Sequence, residues 1–150
     1  MHKPIKHLKT LLDDIYKFNR NLHLCCLMTY CCLLRPHQEI RLLKWSDFNG
    51  DLSYISLSGG RVKSKRNRHV PVPIIVSKLL VRDDQNINIF SSKEKPYNKD
   101  YFKTLFRRFK SVYPQVDKGV TLYSFRHSGA IEIYKRTGSL SKLQTAMGHS

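Results

Sequence analysis

The stretch "LYSFRHSGAIEIYKRTGSLSKLQTAMGHS", from Leu122 to Ser150, decides how the rest of the sequence is interpreted. Its apolar residues recur at helical spacing and predict two helices, one from Leu122 to about Arg136 and one from Ser139 to Met147. Thr121 and Ser139 are suited to be their N-caps. The stretch therefore predicts a helical pair that carries unusual polar residues.

Three of these polar residues are candidate functional groups. Arg126 falls in the first turns of a helix among apolar residues, where an arginine needs an anion, either an internal carboxylate or a ligand phosphate. His149 follows a glycine that ends a helix, and such a histidine is more often a simple surface residue. Tyr123 is by default a half-buried packing residue.

The charge of the chain limits its partners. Lys and Arg number 27 against 11 Asp and Glu, which gives a net charge of +16 over 150 residues. A hydrophobic content of 41% is enough for one folded domain. Such an excess of positive charge favours a polyanion, most commonly nucleic acid, with an acidic membrane surface as the competing partner. The longest apolar run, Leu22 to Leu34, is shorter than the roughly 20 residues of a membrane span, so we expect no membrane association.

The cysteines lie inside that apolar run as two adjacent pairs, Cys25 with Cys26 and Cys31 with Cys32. This spacing matches neither a CxxC zinc pattern nor a disulfide framework. The pattern favours small buried residues on a helix, in a reducing compartment and without a metal.

Helices are also predicted from about Pro4 to Lys44. Pro36 interrupts the apolar pattern and predicts a new helix starting at Arg35 or Pro36, because proline suits a first helical turn. Glu39, four residues after Arg35, then shares its helical face. The pair is either a surface ion pair of little energetic value or an arginine fork aimed at a phosphate and steadied by a carboxylate.

The middle of the chain changes to strand periodicity. The segments "DLSYISL", "RVKS" and "HVPVP" predict a three-stranded antiparallel sheet with Lys63 near a hairpin tip. The charged run around Lys63 is either a solvated loop or a set of DNA-backbone contacts, provided by Arg61, Lys65, Arg66 and Arg68. Together with further helices from Ile74 to about Arg82 and from Asn98 to about Tyr113, this predicts a predominantly helical α+β fold.

In order along the chain, these motifs resemble the tyrosine recombinases, or phage-type integrases. "LLRPHQEIRLLKWSDF" is similar to the first arginine motif of that family, and "VKSKRNRHVPVP" is similar to its sheet-borne lysine motif, which selects Lys63. "YSFRHSGA" and "LQTAMGHS" are similar to its second arginine box and its glycine–histidine box. The likeness spans roughly Leu11 to Ser150.

The resemblance implies a recombinase catalytic core that cleaves and rejoins double-stranded DNA through a 3′-phosphotyrosyl intermediate, without metal or nucleotide cofactor. Arg35 and Arg126 would hold the phosphate, and Glu39 would orient Arg35. Lys63 would protonate the leaving 5′ oxygen, and His149 would donate a hydrogen bond to the phosphate. Members of the family act as tetramers on paired duplexes.

Two departures from the family pattern shape these expectations. Tyr123 stands where the family usually has histidine or lysine, so its role at the site would be positional. No tyrosine matches the family's nucleophile, which would follow the glycine–histidine box. We therefore expect residues 1–150 to be a single catalytic domain, truncated at its C-terminus and without the family's N-terminal core-binding domain. Alone it would be an inactive monomer, from a bacterial or phage-encoded parent acting in the cytoplasm at the nucleoid.

A second hypothesis is a non-enzymatic DNA-binding module, in which the last two helices act as a helix-turn-helix. It explains the charge of +16 equally well. It does not explain why arginine, lysine, arginine and histidine occur inside four ordered motifs.

Overall fold

The structure, a computed structural model, describes residue 3, residues 5–58 and residues 67–147. The helices in these ranges are α1 (Leu8–Phe18), α2 (Arg20–Cys32), α3 (Ile74–Ser77), α4 (Tyr101–Val112), α5 (Leu122–Thr137) and α6 (Leu140–Met147). Two short 3₁₀ helices, Ile40–Leu42 and Trp45–Asp47, precede strands β1 (Tyr54–Leu57) and β2 (Arg68–Pro71). The predominantly helical α+β class predicted from the sequence is confirmed.

Helix α2 lies at the centre of the core. Asn19 caps its N-terminus: the extended backbone of Asn19 ends α1, and its side chain accepts a hydrogen bond from the Leu22 backbone N–H at 2.9 Å. Much of its length is buried, because both α1 and α5 pack on it. Both neighbouring helices bury apolar residues, and this burial fixes α2 inside the domain.

The cysteines are part of this core, as the sequence predicted. All four are free, and only Cys31 is partly exposed. Burial raises the pKa of Cys31 to about 11 and that of Cys32 to about 12, so these thiols stay protonated at neutral pH. The described residues include no cluster of His, Cys, Asp or Glu that could hold a metal ion.

Of the three predicted strands, two lie in the described part of the chain, where β1 pairs antiparallel with β2. The register joins Tyr54 to Pro71 and Leu57 to Arg68. The predicted strand "RVKS" lies outside the described residues. Phe48 makes a single bridge to Ile55 on the other side of β1.

The α-helix predicted to start at Arg35 or Pro36 is also absent from the structure. The Arg35 carbonyl accepts hydrogen bonds from the backbone N–H groups of both Glu39 and Ile40, at 3.1 and 2.9 Å, and the Arg41 N–H reaches back to Pro36. Bonds that span five residues do not fit the α-helical period, so turns lead into a short 3₁₀ helix.

Helices α3 to α6 follow the predicted order with shifted ends. Helix α3 is shorter than predicted, because the hydrogen bonds donated by Leu79 and Leu80 span three residues. Thr121 and Ser139 both act as caps: the Thr121 N–H donates to Ser124 Oγ at 2.9 Å, and the Lys142 N–H donates to Ser139 Oγ at 3.1 Å. Among the described helices, none is long and apolar enough to cross a membrane.

Candidate phosphate-binding site

The site is organised around Arg126, in the second turn of α5. Its side chain is buried, with 8% of the residue exposed. Arg126 Nε donates to the Leu33 carbonyl at 2.7 Å, and Nη2 donates to the Met147 carbonyl at the end of α6 at 3.1 Å. Both of these partners are neutral carbonyls, so they leave the positive charge of Arg126 uncompensated.

Close packing between α5 and α2 places Arg126 at this point. A Cβ on Gly129, one turn after Arg126, would collide with the Tyr30 carbonyl oxygen and lie 2.8 Å from Leu33 Cδ2, so only glycine permits the contact. Leu33 ends α2 in the left-handed conformation, with φ of 56°, which is rare for leucine. Its carbonyl accepts from Arg126, so an unfavourable backbone conformation occurs at the centre of the candidate site.

Arg35 and Glu39 lie beside this point in the turn that follows α2. Glu39 is fully buried, and its Oε1 accepts a hydrogen bond from the Arg35 backbone N–H at 2.7 Å. Arg35 Nη1 lies 3.7 Å from Glu39 Oε2. The carboxylate thus contacts both the backbone and the guanidinium of Arg35, and its burial shows that the pair is not a surface ion pair.

Arg68 reaches the same cluster from β2. The sequence instead predicted it as a DNA contact on the charged hairpin. Only 7% of Arg68 is exposed, and its Nη1 lies 3.5 Å from Glu39 Oε2. The reason is strand alternation: Arg68 is in phase with Val70 and Val72, so its side chain points inward. That phase is readable in the sequence and could have identified Arg68 as a site residue.

The cluster holds more positive than negative charge. Among the described residues, three guanidiniums lie near one carboxylate: Arg35 and Arg68 contact Glu39. Arg126 lies close enough to interact electrostatically with all three. Burial, followed by the nearby charges of Arg35 and Arg68, lowers the pKa of Arg126 to about 10, so Arg126 stays cationic at neutral pH. Burial also lowers the pKa of Arg68, and Glu39 opposes that shift. An anion bound between the arginines would compensate the excess charge.

Several polar atoms of the cluster are also left without hydrogen bonds. Within the part of the chain that the structure describes, Glu39 Oε2, Arg68 Nε and Arg68 Nη1 are buried and have no hydrogen-bond partner. Buried polar groups are nearly always paired in folded proteins. Arginine donors that lack hydrogen bonds can bind the oxygens of a phosphate in pairs.

Tyr123 lies one helical turn before Arg126. Its hydroxyl donates a hydrogen bond to Gln38 Oε1 at 3.1 Å, and its ring lies 6.1 Å from the ring of His37. The phenol adds no positive charge, and these contacts with the turn after Arg35 hold its ring at the border of the site.

Tyr123 also lines a large groove with a volume of about 990 Å³. The groove runs between the turn after Arg35, helix α4 and the start of α5. Helix α4 buries its aromatic face and presents the opposite face to solvent. Five of the residues lining the groove are basic: Arg41, Lys99, Lys103, Arg107 and Lys110. Its charge suits a chain of phosphates. We refer to it as the basic groove.

The remaining predicted site residues are not placed. Lys63, His149 and the proposed DNA contacts Arg61, Lys65 and Arg66 lie outside the described residues. Of the predicted catalytic residues, the structure thus brings together Arg35 and Arg126, with Tyr123 beside them and Glu39 between two of the arginines.

Comparison with known proteins identifies the family of the chain. A family model described as "Phage integrase family" matches residues 5–150. Tyrosine recombinase XerA of Pyrococcus furiosus is 27% identical over 149 residues, which are 97% of this chain and 52% of that protein. The chain therefore belongs to the phage integrase family, and it spans about half the length of this curated relative.

Solved structures show the same fold. The Tn1549 transposon integrase (residues 82–397), in complex with circular intermediate DNA, superimposes with a TM-score of 0.76 at 17% sequence identity. The match covers 99% of this chain and 59% of the integrase chain. A crystal structure of XerA recombinase gives a TM-score of 0.75 at 19% identity, and the match covers 100% of this chain and 55% of the XerA chain. The catalytic domain of bacteriophage HP1 integrase gives a TM-score of 0.71 at 21% identity, and the match covers 100% of this chain and 82% of the HP1 chain.

Proposed function

We propose that this chain is the phosphate-activating part of a site-specific DNA recombinase, which cleaves and rejoins double-stranded DNA through a 3′-phosphotyrosyl intermediate. The observation that carries the proposal is the cluster of the partly buried Arg35 and the buried Arg68 and Arg126 near one buried carboxylate. Membership of the phage integrase family and the fold of the HP1 catalytic domain support it.

In this proposal Arg35 and Arg126 bind the nonbridging oxygens of the scissile phosphate. Negative charge on these oxygens increases as the nucleophile attacks, and fixed guanidiniums in a water-poor site stabilise it. Glu39 holds the backbone and side chain of Arg35 in place. Removing one such donor from a comparable site costs about 10²–10³ in rate.

The family resemblance supplies the other roles. Lys63 would donate a proton to the leaving 5′ oxygen, and His149 would add a hydrogen bond to the phosphate. Tyr123 would position the phosphate without adding positive charge, since a phenol has no cationic form. The covalent phosphotyrosine conserves the phosphodiester energy, so the reaction would need no nucleotide cofactor, and the family resemblance implies that it needs no metal.

The basic groove is the proposed path of the DNA backbone beside the site. Its lysines and arginines are on one side of the domain, and Tyr123 lines the groove next to Arg126. The Tn1549 transposon integrase, which shares this fold, is in complex with circular intermediate DNA. Neutralising phosphates along such a groove gives affinity without sequence readout, and this affinity depends strongly on salt.

The test is covalent trapping on a nicked suicide duplex, using a longer protein that contains this chain and a nucleophilic tyrosine. Arg126→Lys keeps the charge but loses the fork, and we expect it to lower the trapping rate by about 10²-fold or more. Arg82→Lys is the matched control, because Arg82 also donates to backbone carbonyls but at Trp45 and Asn49.

Duplex affinity, measured by fluorescence anisotropy, separates the two hypotheses. A recombinase site predicts that Arg126→Lys binds duplex DNA within about threefold of the wild type while trapping is lost. A DNA-binding module predicts no trapped product from the wild type and weaker binding by the variant. The latter pair of results would overturn the proposed function.

A further inference from the structure

Arg68 is the one guanidinium of the cluster to which the family resemblance gives no role in the reaction. It enters from β2, whereas Arg35 and Arg126 come from the turn after α2 and from α5. Its contacts reach three separate parts of the chain: Glu39 at 3.5 Å, the Leu33 carbonyl at 3.4 Å and the Ala146 carbonyl. One side chain therefore joins these three parts.

The contact with Ala146 concerns the end of α6. Helix α6 has no buried residue, so apolar packing holds it weakly. Its last carbonyls, at Ala146 and Met147, accept hydrogen bonds from Arg68 and Arg126 respectively. The carbonyls at a helix C-terminus lack partners within the helix and carry partial negative charge, so two cations bind there favourably.

The contact with Glu39 concerns Arg35. Glu39 Oε2 lies between Arg35 Nη1 and Arg68 Nη1, at 3.7 and 3.5 Å. A carboxylate that faces two guanidiniums is held from both sides, so the position of Arg68 limits where Glu39, and through it Arg35, can move. A lysine would keep the charge but has a single nitrogen, which cannot reach the carboxylate and both carbonyls at once.

We propose that Arg68 is a positioning residue of the phosphate site: it holds Glu39 against Arg35 and ties the end of α6 to the end of α2. This rests on the proposed function, because the site that it shapes is the one assigned to the scissile phosphate. Arg68 acts through Glu39 and the α6 carbonyls, and its role depends on the fork geometry of its guanidinium.

The experiment compares Arg68→Lys with Arg82→Lys in the 150-residue chain. Inorganic sulfate is the probe, titrated while the arginine Nε–H signals are followed by NMR. We expect sulfate to shift the Arg126 signal of the wild type, Arg68→Lys to weaken sulfate binding by about tenfold, and Arg82→Lys to stay within about twofold. Thermal unfolding identifies any effect that arises from loss of fold alone, and the comparison uses samples that remain folded.

A second readout needs no anion. Amide hydrogen exchange of α6 reports whether its end is held, and Arg68→Lys should speed exchange at residues 143–147 more than at α5. Sulfate affinity and α6 exchange both equal to the wild type in Arg68→Lys would overturn the positioning role.

The proposed function fails differently. If sulfate leaves the Arg126 signal of the wild type unchanged, the phosphate site is contradicted. Faster α6 exchange in Arg68→Lys would then still support the hold on α6, and unchanged exchange would overturn the positioning role as well.

Discussion

The two sides of the phosphate site are held by different interactions. Where α5 meets α2, Gly129 brings the backbones into contact, and the buried side chains Phe125 and Leu33 are almost completely excluded from water. Where α6 meets the site, no residue of the helix is buried, and arginine side chains bind its last carbonyls. Packing therefore fixes the backbone position of Arg126, whereas hydrogen bonds from charged side chains hold the end of α6. The first contact should resist salt and pH, and the second should respond to both.

The largest effect is expected at Glu39, the only carboxylate described within the arginine cluster. Removing one partner from a buried ion pair leaves uncompensated charge, so Glu39→Gln should lower the free energy of unfolding by about 3–5 kcal/mol. Glu132→Gln is the control, because the Glu132–Arg136 pair is exposed and its loss should cost roughly 0.5 kcal/mol. Urea denaturation measures both. Equal losses would show that the cluster is solvated.

A somewhat smaller effect is expected for Gly129→Ala, which tests the packed side. The added methyl would collide with the Tyr30 carbonyl oxygen, so α5 must shift away from α2. Overpacking of this kind costs about 1–3 kcal/mol, and the thermal midpoint should fall accordingly. Gly50→Ala has nothing within 4 Å of the new methyl and should leave the midpoint unchanged. A stable Gly129→Ala protein with full sulfate affinity would contradict the close contact.

The charged side can be tested by pH. The pKa of Arg126 is lowered to about 10, so its charge is complete at neutral pH and is lost as pH rises through about 10. Sulfate does not titrate in this range, and its affinity should be constant near pH 7 and fall above about pH 9. Calorimetric titration at several pH values measures this. Unchanged affinity well above the pKa of Arg126 would show that sulfate binds elsewhere.

The smallest effect is expected in the basic groove. For duplex binding, the logarithm of the binding constant falls linearly with the logarithm of the salt concentration. Lys103→Ala should reduce the magnitude of this slope by about 0.9, the value for one lost phosphate contact. Lys3→Ala is the control, because Lys3 forms an exposed ion pair with Asp117 outside the groove. Anisotropy titrations between low and moderate salt give both slopes. Identical slopes for Lys103→Ala and the wild type would place the DNA on another surface.

Much of this arrangement was predictable from the sequence, because helical periodicity and ordered motifs are local signals. They predicted the α+β class, the core position of the cysteines and helix α5. The prediction of a helix at Pro36 failed for a physical reason. The Glu39 carboxylate accepts a hydrogen bond from the Arg35 backbone N–H, and the backbone forms a wider turn. Propensity cannot anticipate such a bond, which depends on burial of the carboxylate.

Arg68 shows a different limit. A run of basic residues indicates a solvated loop, and that signal outweighed the alternation with Val70 and Val72 that marks the inward face. Its partners, Leu33 and Ala146, are far from it in the sequence. Only the tertiary structure brings them together, so neither the ion pair with Glu39 nor the hold on α6 was predicted.

The most direct test of the phosphate site is a crystal structure of the chain soaked with selenate, a tetrahedral dianion whose selenium can be located by anomalous scattering. We expect one well-occupied selenate whose oxygens lie within about 3 Å of guanidinium nitrogens of both Arg35 and Arg126, next to Tyr123. Selenate bound only in the basic groove, with none between the two arginines, would contradict the proposed site.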